Sequence, residues 1–165
     1  DLVYAVNGNS NTYGNIWQWD IRSTNSEIES VYAALYTVIG RCNFYLDQVE
    51  ELRAKLTDDV DIMTLDFFTG EVYCARALAY SELVKCFCKA YDPATAENEL
   101  GVVLRSSYFN EEPVSRSSLK ATYDFILADL VKAEELLDEE NDYYDAAYFT
   151  NASAHAIHAR LVFSL

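Results

Sequence analysis

The sequence is poor in residues that interrupt structure: of 165 residues, two are Pro and five are Gly. Together with 51% apolar and 14% aromatic residues, thirteen of them Tyr and eight Phe, that scarcity argues against a disordered chain. Basic residues are scarce too, with 12 Lys and Arg against 27 Asp and Glu and a formal charge of −15. A chain so acidic repels phosphate backbones, which excludes nucleic acid as a natural partner. No apolar run approaches the roughly 18 residues of a membrane span. Residue 1 opens no basic, apolar signal segment, so the expectation for an exported protein is that its signal has already been removed. Catalytic signatures are missing as well. There is no Gly-rich phosphate loop, no G-x-S-x-G and no H-E-x-x-H. Paired carboxylates, which glycan hydrolysis needs at a defined separation, arise by chance among 27 acidic residues. The expectation is a protein that is not an enzyme and needs no cofactor.

What is present is helical periodicity, in a chain long enough to bury roughly two-thirds of its unfolded surface. Residues 1–25 are rich in Asn, Gly, Ser and Tyr and read as a loop segment. Ser26-Glu27-Ile28-Glu29 fits a capping box. Ile28, Tyr32, Leu35, Ile39, Cys42, Leu46, Val49 and Leu52 then recur every three or four residues, predicting a helix to about residue 56. Asp58, Asp59 and Asp61 read as a solvated linker, since they lack the glycine and distal Glu of a calcium loop. A second helix is expected over 64–91, and its alanines and cysteines suit close approach of two backbones. Residues 92–116 hold both Pro93 and Pro113 and read as a long loop, a length that in compact domains carries function or packs as a unit. A third helix is expected from near Ser117, and a fourth from Thr150 to the end, separated by the acidic stretch 138–145. No alternating strand is evident.

The expected fold class is therefore all-α, in antiparallel helix hairpins with long loops. Ala75-Arg76-Ala77-Leu78-Ala79-Tyr80 and Ala159-Arg160-Leu161-Val162-Phe163 are alike, and each falls in the second helix of a hairpin. Such repetition suggests a tetratricopeptide-like stack over 26–165. The chain stops at Leu161-Val162-Phe163-Ser164-Leu165 in an uncapped apolar helix, and the expectation is that it is the N-terminal piece of a longer protein. Cys42, Cys74, Cys86 and Cys88 are expected to pack as small apolar groups, with a Cys42–Cys74 disulfide left open.

The order of motifs resembles the SusD/RagB family of bacterial outer-membrane nutrient-binding lipoproteins. Val31-Tyr32-Ala33-Ala34-Leu35-Tyr36 through Arg41-Cys42-Asn43-Phe44-Tyr45-Leu46 is similar to the family's first long helix. Gly70-Glu71-Val72-Tyr73-Cys74-Ala75-Arg76-Ala77 resembles the G-E-x-x-x-x-R-A opening of its second, which Ser81-Glu82-Leu83-Val84-Lys85 continues. Tyr91 and Gly101-Val102-Val103-Leu104 resemble the following loop. Tyr123-Asp124-Phe125-Ile126-Leu127-Ala128-Asp129-Leu130 resembles its Y-x-x-I-x-x-D-L helix, and Ala154-His155-Ala156 with Ala159-Arg160 its A-x-A-x-x-A-R helix. These matches run in order over about residues 28–165. Two departures stand out: Cys88 replaces a Gly common near the end of the second helix, and family chains are several times longer. The resemblance implies a non-catalytic binding subunit at the cell surface, a lid on a SusC-like TonB-dependent outer-membrane transporter that captures oligosaccharides. It also implies a lipid-anchoring Cys upstream of Asp1. A rival reading is a tetratricopeptide-type protein–protein adaptor that binds no glycan.

The sharpest ligand-binding candidates are Trp17 and Trp19, with Tyr13 and Arg22 beside them in a polar loop. Sugar rings present C–H faces that stack on flat aromatic rings, while Gln18, Asp20 and Arg22 offer donors and acceptors to hydroxyls. Either tryptophan could instead anchor a core; in an extended segment both point to one side. Glu71 and Arg76 are expected to make structural ion pairs or caps, and Asn43 to be a buried, hydrogen-bonded amide. His155 and His158 share a helix face but lack the further ligands zinc requires, so no metal site is expected.

Overall fold

The computed structural model describes residues 16, 19–22, 24–109, 114–137 and 147–164. The chain divides into two compact units, Asp1–Ala34 and Leu35–Leu165. In the first, the described residues form a turn at Trp19, an ion-paired segment at 20–22 and the start of helix α1 (Ser26–Arg53). The helix begins at Ser26 itself, one residue earlier than a cap at that position would allow, and the Ser26 carbonyl accepts a hydrogen bond from Ser30 Oγ (2.7 Å).

The second unit contains the rest of α1 and three more helices: α2 (Asp59–Phe87), α3 (Leu119–Leu136) and α4 (Asn151–Val162). The all-helical expectation stands with one correction. Residues 92–116 are not all loop: strand β1 (Leu100–Val103) pairs antiparallel with β2 (Arg116–Ser118), Leu100 opposite Ser118 and Val103 opposite Arg116, with an irregularity between. Strands of four and three residues are too short for alternation to declare itself. The sheet explains Gly101, because a Cβ there would lie 2.5 Å from the Ser118 carbonyl oxygen and against Thr122 Oγ1.

A second correction concerns Asp58, Asp59 and Asp61, which are the start of α2 rather than a linker. Asp58 Oδ1 accepts from the N–H groups of Val60 (2.8 Å) and Asp61 (3.3 Å). Asp59 and Asp61 sit in the first turn, where negative charge complements the helix dipole. The other end of α2, at Phe87 rather than 91, is closed by Arg116. Its guanidinium donates to the carbonyls of Phe87 (3.1 Å), Leu100 (3.1 Å) and Gly101 (2.5 Å). The capping box of this fold lies on α4, where Thr150 N–H donates to Ser153 Oγ (2.7 Å) and Ser153 N–H to Thr150 Oγ1 (3.3 Å).

Helix α2 is the centre of the core. Eleven of its residues are buried, against four on α1, and Cys74, Ala77, Tyr80 and Leu83 are wholly inaccessible. It packs with Ile39 of α1, with Leu119, Ile126 and Leu130 of α3, and with Val102 of β1. A smaller cluster joins Cys74 to Ala133, Leu137 and Ala154. All four cysteines are free; Cys42 and Cys74 pack inside as expected, but Cys86 is exposed and Cys88 half-buried. Cys86 lies in the last turn of α2, whereas Cys88 is the residue after the helix, in an extended conformation. The look-alike segments of α2 and α4 use their arginines differently. Arg76 is buried, whereas Arg160 reaches from α4 to Ser81 Oγ (3.3 Å) and Glu82 Oε1 (3.0 Å).

Candidate ligand-binding surfaces

Of the sequence candidates in the first unit, Tyr13 and Trp17 lie outside the described residues. Trp19 is 84% exposed. Its N–H donates to the Ile16 carbonyl (3.1 Å) and its φ is +59°. Among the described residues it is the one non-glycine in the left-handed region, a conformation that costs about 1–2 kcal/mol and clusters at active sites, ligand clamps and switch regions. Arg22 is exposed and grips Asp20 with two bonds, Nε to Oδ1 (2.9 Å) and Nη2 to Oδ2 (3.0 Å). Its backbone N–H donates to Asn25 Oδ1 (2.6 Å). This turn offers an outward indole beside a charged, hydrogen-bonding pair.

The second unit carries a surface that the sequence did not single out, and it is built from a buried polar network outward. Arg76 donates to both oxygens of Asp129 (2.7 Å each) and through Nη1 to Asn43 Oδ1 (2.7 Å). The guanidinium also lies over the rings of Phe125 (5.1 Å) and Tyr73 (5.4 Å). Burial works against its charge, but the hydrogen bonds and field of Asp129 outweigh it, and the Arg76 pKa ends above its ordinary value. Asn43 passes the network on, its Nδ2 donating to the Arg105 carbonyl (2.9 Å). Tyr80 donates to that carbonyl (3.1 Å) and accepts from the Arg105 N–H (2.8 Å).

Arg105 is thus clamped at the root of the segment leaving β1, and Asp47 of α1 holds residues 107–109. Asp47 Oδ2 accepts from Ser107 Oγ (2.9 Å) and from the N–H groups of Tyr108 (2.8 Å) and Phe109 (3.4 Å). The result is an aromatic ridge. Phe44, Tyr108 and Phe109 are 47%, 57% and 62% exposed. Their centroids are 5.4 Å (Phe44–Tyr108), 6.0 Å (Phe44–Phe109) and 5.3 Å (Tyr108–Phe109) apart. Two hollows flank it. One, of about 330 Å³, is lined by Phe44, Tyr45, Gln48, Glu51, Leu52 and Lys55 among others. The second, of about 250 Å³, includes Tyr36, Asn43, Arg105, Ser107 and Tyr108.

The remaining polar candidates are structural. Asn43 and Arg76 behave as expected for buried, partnered groups. Glu71 caps rather than pairs, accepting from the Phe149 N–H (3.0 Å), and burial pushes its pKa up. His158 Nδ1 (2.7 Å) and His155 Nδ1 (3.1 Å) both approach Glu134 Oε1. Among the described residues no group of three or more His, Cys, Asp or Glu is arranged to hold a metal, and no helix is long and apolar enough to cross a membrane.

The described chain is a helical scaffold that mounts aromatic rings on braced loops. The particular family emerges from comparison. Residues 3–163 match the SusD-like family model, described as starch-binding and associating with the outer membrane. The chain belongs to that family.

Solved structures agree on the fold. A SusD superfamily protein from Bacteroides vulgatus is 23% identical with a TM-score of 0.78, the match covering 96% of this chain and 34% of that one. A SusD homolog from Bacteroides thetaiotaomicron is 25% identical with a TM-score of 0.75, covering 93% and 28%. A laminarin-binding SusD-like protein is 21% identical with a TM-score of 0.66, covering 91% and 29%. The chain thus spans about a third of the length of these structures. No curated protein matches it.

Proposed function

We propose that this chain is the N-terminal part of a non-catalytic, surface-exposed glycan-capture protein of the outer membrane. It delivers oligosaccharides to a SusC-like TonB-dependent transporter and is lipid-anchored through a Cys upstream of Asp1. Residues 1–25 form its loop-rich ligand-facing segment, and 26–165 a tetratricopeptide-like scaffold. The observation that carries the ligand role is Trp19, a large flat ring 84% exposed on a residue with a left-handed backbone, which leaves its faces open to stacking. Family membership and the laminarin-binding relative support a carbohydrate as the ligand. The face of an aromatic ring carries negative charge, which attracts the electropositive C–H face of a pyranose, and Asp20 and Arg22 supply the polar contacts that orient it.

Calorimetry of the full-length mature protein against a panel of oligosaccharides tests this. The Trp17→Ala/Trp19→Ala variant is expected to keep its helical circular dichroism and lose about tenfold or more in affinity. No binding to any glycan by the wild type would overturn the reading in favour of a protein–protein adaptor.

A further inference from the structure

The ridge of Phe44, Tyr108 and Phe109 is energetically expensive to leave in water, and three large rings gathered within 6.0 Å of one another make a patch of the kind that marks an interaction site. We infer that this ridge and its two flanking hollows form a second carbohydrate subsite, one that takes a neutral oligosaccharide. The inference rests on the glycan-capture reading above but on different residues and different observations.

Three features select a sugar over a protein as the occupant. The first is the composition of the walls. Protein interface cores are enriched in aromatics and Arg, which the ridge and Arg105 share, but depleted in Lys, Glu and Ser, and Glu51 and Lys55 line one hollow and Ser107 the other. Aromatic rings interspersed with amides, hydroxyls and charged groups suit a ligand that is apolar on the faces of its rings and hydroxylated at their edges. The second is shape. Phe44 belongs to one hollow and Tyr108 to the other, and their rings meet edge to face at 5.4 Å. A ridge between two small hollows accepts a chain of rings laid across it. At about 330 and 250 Å³ the hollows lie near or below the lower end of the range for enclosing pockets, about 300–1,000 Å³, the scale of subsites.

The third feature is preorganisation. Asp47 takes three donors from residues 107–109, and Asn43 and Tyr80 fix the Arg105 backbone behind them. A loop already ordered surrenders little entropy on binding. Charge narrows the ligand class further. The chain carries −15 overall; at the site Lys55 is paired with Glu51 (2.6 Å), and Asp47 and Arg105 carry opposite charges. The acidic balance of the whole chain therefore favours a neutral hexose chain over a uronic-acid or sulfated glycan.

The test uses the full-length protein and neutral glucan oligosaccharides from two to seven units, with an oligogalacturonate as the acidic probe. Calorimetry compares the wild type, Tyr108→Ala/Phe109→Ala, Trp17→Ala/Trp19→Ala and the four-fold combination. The substituted ridge residues are exposed, so the fold is expected to survive, which circular dichroism checks. Tyr108→Trp serves as a variant that keeps a stacking ring. The ridge variant is expected to lose about tenfold or more in affinity for a neutral chain, Tyr108→Trp to retain binding, the four-fold variant to fall below either double, and the oligogalacturonate to bind nowhere. Wild-type affinity of the ridge variant for every glycan, while the tryptophan variant fails, would overturn the second subsite and leave the capture reading intact. A ridge variant that binds sugar normally but no longer assembles with a protein partner would overturn it in favour of a docking surface. Failure of the wild type to bind any glycan would sink both readings together.

Discussion

Replacing Arg76 with Leu is the perturbation that reads most directly on the architecture. Arg76 and Asp129 are 5% and 4% exposed and joined by two bonds of 2.7 Å. Removing the guanidinium strands a carboxylate in the core, and breaking a buried pair in this way costs about 3–5 kcal/mol. That is a large fraction of the roughly 5–15 kcal/mol that holds a domain together. At about 2–4 °C per kcal/mol for a chain of this size, the melting temperature falls by about 6–20 °C. The double variant Arg76→Met/Asp129→Leu removes both charges. The Asn43 oxygen is then left without its donor, a cost of about 1–3 kcal/mol, so the double variant recovers part of what the single variant loses. Urea unfolding followed by far-UV circular dichroism measures all three. A single variant that loses less than about 1 kcal/mol, or a double variant no more stable than the single, would refute the claim that ion-pair geometry organises this core.

Two further outcomes are expected from the fold. Gly101→Ala places a methyl group against Thr122 Oγ1 and the Ser118 carbonyl, which cannot both yield, so β1–β2 pairing is lost and the thermal midpoint drops by several degrees; an unchanged melt would contradict the close approach. Stability also falls in alkali. Burial pushes the Tyr80 hydroxyl up to about 12 and, with Glu71 and Glu134 nearby, the Cys74 thiol up to about 12. In the unfolded chain these groups ionise near 10.0 and 9.0. The unfolded state therefore releases protons first. The stabilisation is complete below about pH 9 and lost as pH rises toward 12. Urea midpoints measured from neutral pH upward check this, and a flat profile to about pH 11 would count against it.

The helices were legible because their signal is local: an apolar stripe at three- and four-residue spacing lies within one segment. Asn43 and Arg76 were legible for the same reason, as polar residues on apolar helices that had to find partners. Trp19 stood out by composition, and the structure adds that its ring is exposed in this chain. The ridge did not stand out. Its Phe44 sits within a stretch that reads as ordinary helix, and Asp47 is 60 residues from Ser107, to which it bonds. The pairing of β1 with β2 likewise depends on Arg116 and Thr122, which satisfy strand groups through their side chains. Long-range partnerships between unremarkable residues leave no periodic trace, and neither does the identity of Asp129 as the partner of Arg76.

The way Asp47 holds its loop bears on how this surface changes over time. Two of its three bonds go to the main-chain N–H groups of Tyr108 and Phe109, which every residue but proline possesses. The mount is therefore indifferent to what it carries. Side chains at 108 and 109 are replaceable without remaking the loop, as blades are changed on a fixed handle. On the second-subsite reading, these two positions are where ligand preference changes while the scaffold stays as it is.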